Sequence, residues 1–319
     1  MWKTVLALLV TIVVIPFAAF RFDDPLTTLQ SSVLIKLVVI YLVAALLCFL
    51  VSTIADNYSQ VDKLWSTIPL AYVWVVAVEG GMESRLVLMA ILVTVWGLRL
   101  SWNFNRRGGY SLRFWEGEED YRWAVLRARP EFRGNWKWIL FNFFFISLYQ
   151  MGLILLMTLP ALRSMEGAPL GVADWILAVI VLAFVVAETV ADQQQWNFHK
   201  RKREFVAAGD DMPEPYARGF VHKGLWALVR HPNYASEQGI WITFYFFSVA
   251  ATGQWLNWSV MGAILLVLLF LGSSNFSESV SAGKYPSYSD YLKRVPRFVP
   301  FTKGRIPQDV DLPEIQAEA

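Results

Sequence analysis

Runs of roughly 20 predominantly apolar residues recur from one end of this 319-residue chain to the other, and they constrain its fold more than any motif does. Such runs stand at about 3–20, 33–55, 64–79, 85–104, 136–160, 172–197, 235–253 and 256–274. A backbone in hydrocarbon must satisfy its own hydrogen bonds, so apolar runs of this length are expected to be helices. With 56% hydrophobic and 17% charged residues, the chain is too apolar for a soluble domain of its size. The fold class expected is an all-α integral membrane protein, a bundle of seven or eight transmembrane helices. The first run is read as an uncleaved helix, because Met1–Phe20 lacks a clean small-x-small cleavage site.

Basic residues orient the runs. Segments 105–135, 199–232 and 276–319 hold seven, seven and six of the 28 Lys and Arg, whereas loops 21–32, 80–84 and 161–171 hold only Arg21 and Arg163. The positive-inside rule places the three basic segments in the cytoplasm. The expected location is an inner or plasma-type membrane with multiple passes. Three divisions follow: amino-terminal transmembrane helices over 1–55, a main transmembrane region over 56–301, and a loose tail over 302–319. Gly108-Gly109 breaks the long 105–135 loop, and Glu118–Arg129 is expected to form a short surface helix.

The residue inventory excludes several chemistries. Cys48 is the only cysteine, so an intrachain disulfide and a thiolate metal site are ruled out. The three histidines, His199, His222 and His231, form no HExxH pair. No GxGxxG follows a strand pattern, so any dinucleotide site is not of the Rossmann type. Neither metal nor nucleic acid is expected as a partner.

Polar side chains recur at helical spacing inside the apolar runs. Glu188, Asp192, Gln195 and His199 share one face of the sixth run, and Arg99, Asn103 and Arg106 one face of the fourth. Ser59, Asp62 and Ser66 do so beside Gln60 and Trp65, and Arg230, Asn233, Tyr234, Glu237 and Trp241 line the seventh. Each face alone is compatible with pairing inside a bundle. Together they are expected to converge on a polar cavity at the cytoplasmic ends of the helices, because unpaired buried charge is costly. Arg and Lys there suit phosphates, and Asp192, Asn233 and Tyr234 suit an adenine or nicotinamide ring.

Five stretches carry a resemblance. They are Asn57–Trp65, Asn105–Tyr110 with Glu118–Trp123, Ala191–Gln195, Gly224–Glu237, and the tail from Lys284-Tyr285 through Tyr288 and Tyr291 to Pro300-Phe301. Over about 56–301 the chain resembles the membrane-embedded steroid 5α-reductase-like family, and most closely its bacterial branch. The resemblance implies an NADPH-dependent reductase of an activated C=C bond, acting on a hydrophobic small-molecule or lipid substrate, with membrane lipid as its other partner. It implies cofactor contacts at Asp192, His199, Arg230, His231, Asn233, Tyr234, Glu237, Tyr285 and Tyr288. It places Asp62, with Gln60, where those enzymes engage the substrate carbonyl, and there Asp62 is expected in an apolar wall. The fourth run, Trp96–Arg106, lacks the Tyr that pairs with this acid in the steroid enzymes. The Arg230-His231-Pro232-Asn233-Tyr234 segment is also similar to isoprenylcysteine and phospholipid methyltransferases, which bind S-adenosylmethionine. A non-catalytic lipid-binding protein is the reading of another class.

Overall fold

In the computed structural model, residues 12–14, 16–21, 23–113, 115–132 and 134–302 are described. Every regular element among them is helical. Helix α1 spans Thr28–Ala55, α2 Gln60–Glu79, α3 Ser84–Asn105 and α4 Tyr121–Arg127. Helix α5 covers Asn135–Arg163 and is π-helical over Asn142–Tyr149. Helices α6, α7, α8 and α9 follow at Val172–Ala208, Pro232–Thr252, Met261–Lys284 and Tyr288–Arg294. Six helical stretches among the described residues are long and apolar enough to cross a membrane: α1, α2, α3, α5, α6, and α8 with the 3-10 turn before it. Helix α7 is long enough but carries Asn233, Ser236, Glu237 and Gln238 in its first turns. Most of the first expected span lies outside the described residues, and those described, 12–14 and 16–21, are helical.

Two helices overrun their apolar runs. Helix α6 continues from the expected end at 197 to Ala208, through the basic segment assigned to a loop. Gln, Lys, Arg and Glu are good helix formers, and no Gly or Pro intervenes before Gly209, whose φ of +70° ends the helix. Helix α8 likewise runs ten residues past 274, to Lys284, and stops short of Pro286. The short surface helix forms over Tyr121–Arg127, where Asp120 caps it by accepting the Arg122 amide at 2.9 Å.

The chain divides into two compact units, 1–181 with 241–266, and 182–240 with 267–319. In the first, α5 is the core: its residues Gln150–Leu162 are all buried, as expected of a helix apolar on every side. Helix α1 buries one stripe, Val33, Leu37, Ala44, Ala45, Cys48 and Ser52, and exposes Ile35, Val39, Leu42, Val43, Leu46 and Leu47. An exposed apolar band of that size is a lipid-facing surface. Glycine lets helices approach closely here. A Cβ on Gly97 of α3 would stand 2.6 Å from the Ser66 carbonyl oxygen of α2, and one on Gly262 of α8 would overlap the Leu156 backbone of α5. Buried Trp96 meets Trp241 edge-on at 5.0 Å.

One end of this unit is closed by a buried fork. Arg85 binds Asp174 through Nε–Oδ1 at 2.7 Å and Nη2–Oδ2 at 2.9 Å. It also donates to the carbonyls of Ala168 and Pro169. At the other end, the 105–135 segment folds against the start of α2.

Candidate functional site

The second unit builds its polar wall from α6 and the start of α7. Gly239 brings these helices together: a Cβ there would stand 2.6 Å from the Phe184 ring. The turn before α7 is fixed to α6 as well. Gln194 Oε1 accepts the Leu225 amide at 3.1 Å, and the Trp226 indole donates to the Ala191 carbonyl at 3.1 Å. Gly224 makes this contact at a φ of +65°, where a Cβ would lie 2.5 Å from Gln194. Only glycine satisfies both conditions.

This geometry brings Asn233 to Asp192. Asn233 Nδ2 donates to Asp192 Oδ1 at 3.3 Å, and its Oδ1 accepts the Tyr234 amide at 3.0 Å. Glu188, Asp192 and Glu237 are each only 4% exposed, so three carboxylates are buried within one unit. One and two turns beyond Asp192 on the same face of α6, Gln195 Nε2 and His199 Nε2 lie 3.2 Å apart. Gln195 Oε1 is buried with no hydrogen-bond partner among the described residues.

His199 opens onto a cleft of about 540 Å³ that is also lined by Lys202, Arg203, Val206, Ala207, Lys284 and Tyr285. The Lys202 and Lys284 ammonium groups lie 5.0 and 5.4 Å from the Tyr285 ring, and Lys202 donates to the Gly219 carbonyl at 3.2 Å. Lys202, Arg203 and Lys284 reach the cleft only because α6 and α8 extend beyond their apolar runs.

Arg230 and His231 are placed differently. Glu278 of α8 accepts from Arg230 Nε at 2.8 Å and Arg297 Nη2 at 3.2 Å, and its Oε1 lies 2.9 Å from His231 Nε2. Arg230 also donates to the carbonyls of Leu292 and Val295. The Arg230 and His231 amides bond to the carbonyls of Pro296 and Arg297. These two residues therefore latch the carboxy-terminal strap to the start of α7. Arg230 precedes that helix and Trp241 packs on Trp96, so the expected single face of five residues reduces to Asn233, Tyr234 and Glu237. Tyr234 stacks on His231 at 5.3 Å. Tyr288 is in a core cluster with Phe220, Tyr291 and Val295, away from the cleft lining. The Tyr291 hydroxyl donates to the Trp226 carbonyl at 2.5 Å, and burial raises its pKa well above the ordinary value. Burial lowers the pKa of His231, against the opposing pull of Glu278, and lowers that of His222.

Asp62 and Gln60 belong to the first unit. Asp62 is the third residue of α2, and its surroundings are polar rather than an apolar wall. Its Oδ2 accepts the Trp123 indole N–H at 3.2 Å, and its Oδ1 lies 3.6 Å from Arg122. The cause is the 105–135 loop, which folds α4 over the start of α2 and brings Arg122 and Trp123 with it. Gln60 Nε2 donates to the Trp115 carbonyl at 3.2 Å. Just past the end of α3, Arg106 turns back to Asn103 Oδ1 at 2.9 and 2.6 Å. The phenol absent from the fourth run has a neighbour in the following loop: Tyr110 Oη lies 3.0 Å from Ser66 Oγ, one turn beyond Asp62.

Residues 48–295 match the family described as "Protein of unknown function (DUF1295)". The chain belongs to this family. The matched region contains Asp62, Asp192, Asn233 and Glu278. The chain is also 34% identical over 267 residues to the uncharacterized protein C594.04c of Schizosaccharomyces pombe, an alignment covering 80% of this chain and 76% of that protein. No solved structure matches it significantly.

Proposed function

We propose that this DUF1295 protein is a membrane-embedded reductase that uses NADPH to saturate an activated C=C bond in a hydrophobic or lipid-like substrate. The observation that carries the reading is one face of α6. It joins the Asp192–Asn233 pair to a basic, aromatic cleft at His199. The cleft fits a dinucleotide phosphate: Lys202, Arg203 and Lys284 supply cations and Tyr285 an aromatic ring. Asp192 and Asn233 offer hydrogen bonds to a carboxamide or ribose.

When bound, NADPH supplies a hydride for the β carbon of an enone. In this reading Asp62 and Gln60 engage the substrate carbonyl and stabilise the developing enolate, and a proton returns at the α carbon. Gln60 would exchange its bond to the Trp115 carbonyl for the substrate oxygen, and Asp62 would part from Arg122 to act as the acid.

Titration of the purified protein with NADPH and with S-adenosylmethionine tests the assignment. Saturable binding of NADPH is expected. Binding of S-adenosylmethionine instead would make the protein a methyltransferase, and binding of neither would favour a non-catalytic lipid-binding role.

The basic segments are proposed to face the cytoplasm of an inner or plasma-type membrane, as their share of Lys and Arg suggests. Cysteines placed at the exposed positions Arg113 and Asp211, in a Cys48→Ser background, should then resist an impermeant reagent applied from outside. Labelling at either position would reverse the orientation.

A further inference from the structure

A second cleft, of about 320 Å³, opens at the end of the first unit where α1 begins and α5 ends. Asp24, Thr27, Arg163, Glu166 and Gln254 give it one cation and two carboxylates. Arg163 Nη2 donates to Gln254 Oε1 at 2.6 Å and to Asp24 Oδ2 at 3.4 Å. Gln254 Nε2 donates to the same Asp24 oxygen at 2.5 Å. Arg163 Nε is buried and has no hydrogen-bond partner among the described residues. A buried guanidinium N–H left in that state is costly, and the guanidinium faces the cleft through the 12% of its side chain that stays exposed.

The carboxylates are half engaged. Thr27 donates to Glu166 Oε2 at 2.5 Å, and the second oxygens of Glu166 and Asp24 have no partner among the described residues. Glu166 is placed by a left-handed backbone, φ 58°, that a non-glycine residue seldom adopts. The segment that holds it is rigid. Arg85 binds the carbonyls of Ala168 and Pro169, and the Ala168 amide donates to the Ala251 carbonyl at 2.8 Å. A strained residue in a fixed loop beside a partly engaged guanidinium is the pattern of a built site.

We propose that this cleft binds a phosphate–ammonium zwitterion of the phosphoethanolamine type. The phosphate oxygen would accept from the exposed part of the Arg163 guanidinium, and the ammonium would donate to Glu166 and Asp24. The ligand is neutral overall, whereas the cleft carries both signs, so a purely anionic headgroup would meet two carboxylates and be disfavoured. Its level in the fold favours a lipid as the source. The cleft lies where membrane-length helices α1 and α5 terminate, which is where headgroups lie against a bundle.

The test uses the delipidated full chain in detergent. Its thermal unfolding is followed with added phosphatidylethanolamine, phosphatidylglycerol or soluble phosphoethanolamine. Phosphatidylethanolamine is expected to stabilise at roughly tenfold lower concentration than phosphatidylglycerol, the effect of one charge-assisted hydrogen bond. Arg163→Lys and Glu166→Gln should each abolish that difference while leaving the lipid-free midpoint close to wild type. Glu166 is exposed, so its variant carries the test alone if Arg163→Lys fails to fold. Soluble phosphoethanolamine acting as strongly as the lipid would keep the chemistry and assign it to a soluble ligand. Equal stabilisation by the two lipids with no effect of phosphoethanolamine, or an undiminished preference in Glu166→Gln, would overturn the proposal.

Discussion

Replacing Glu278 with Ala removes the anion that Arg230, His231 and Arg297 share. The Glu278 side chain is 9% exposed and that of Arg230 7%, so this pair is buried and little screened. Breaking a buried pair by deleting one partner costs about 3–5 kcal/mol, because the remaining charge stays uncompensated. Arg297 is 29% exposed and adds less. Arg230 keeps its bonds to the Leu292 and Val295 carbonyls, which holds the total within that range. Glu278→Gln retains an acceptor for Arg230 and loses the charge, so it should cost about 1–3 kcal/mol. Equilibrium unfolding in mixed micelles measures both. Limited proteolysis near Val299 should quicken in the same order, because the latch also holds residues 295–297. The reasoning fails if Glu278→Ala lies within about 0.5 kcal/mol of wild type, the range of an ordinary surface substitution.

Stability should fall as pH drops below about 6.5, the ordinary His value. His222 and His231 have pKa values lowered by burial, so the unfolded chain binds more protons in that window. His222→Gln should flatten the dependence, and an unchanged slope between pH 7.5 and 5 would refute it. Asp62→Asn keeps an oxygen for Trp123 and Arg122 and should fold normally. If Asp62 is the acid, this variant binds NADPH as wild type does yet loses turnover of an enone, whereas full activity would leave Asp62 a structural residue of the first turn of α2.

The apolar spans were legible in the sequence because lipid demands long uninterrupted runs, and α1, α3 and α5 form close to where those runs lie. The same rule hid the cleft. A span reading stops where charge begins, but α6 continues through Lys202 and Arg203 to Gly209, and α8 through Glu278 to Lys284. Glu278 had only a weak signal, the mostly polar stretch from Ser273 to Glu278, broken by Phe276, that closes an apolar run. Asp192 and Asn233 were legible from helical spacing and from the motif around Pro232. Their meeting depends on Gly239 and Gly224, whose close contacts across the fold leave no mark in a linear pattern. The resemblance reads Arg230 as a cofactor contact. Only the fold shows that Glu278 and the strap carbonyls occupy it.

The most direct measurement is the NADPH affinity of Asp192→Ala and Asn233→Ala, by fluorescence titration of the purified protein beside wild type. If Asp192 and Asn233 bind NADPH as proposed, each variant loses one or two hydrogen bonds to it, about 1–3 kcal/mol, so affinity should fall roughly 5- to 150-fold while the fold persists. Wild-type NADPH affinity in both variants would contradict the account.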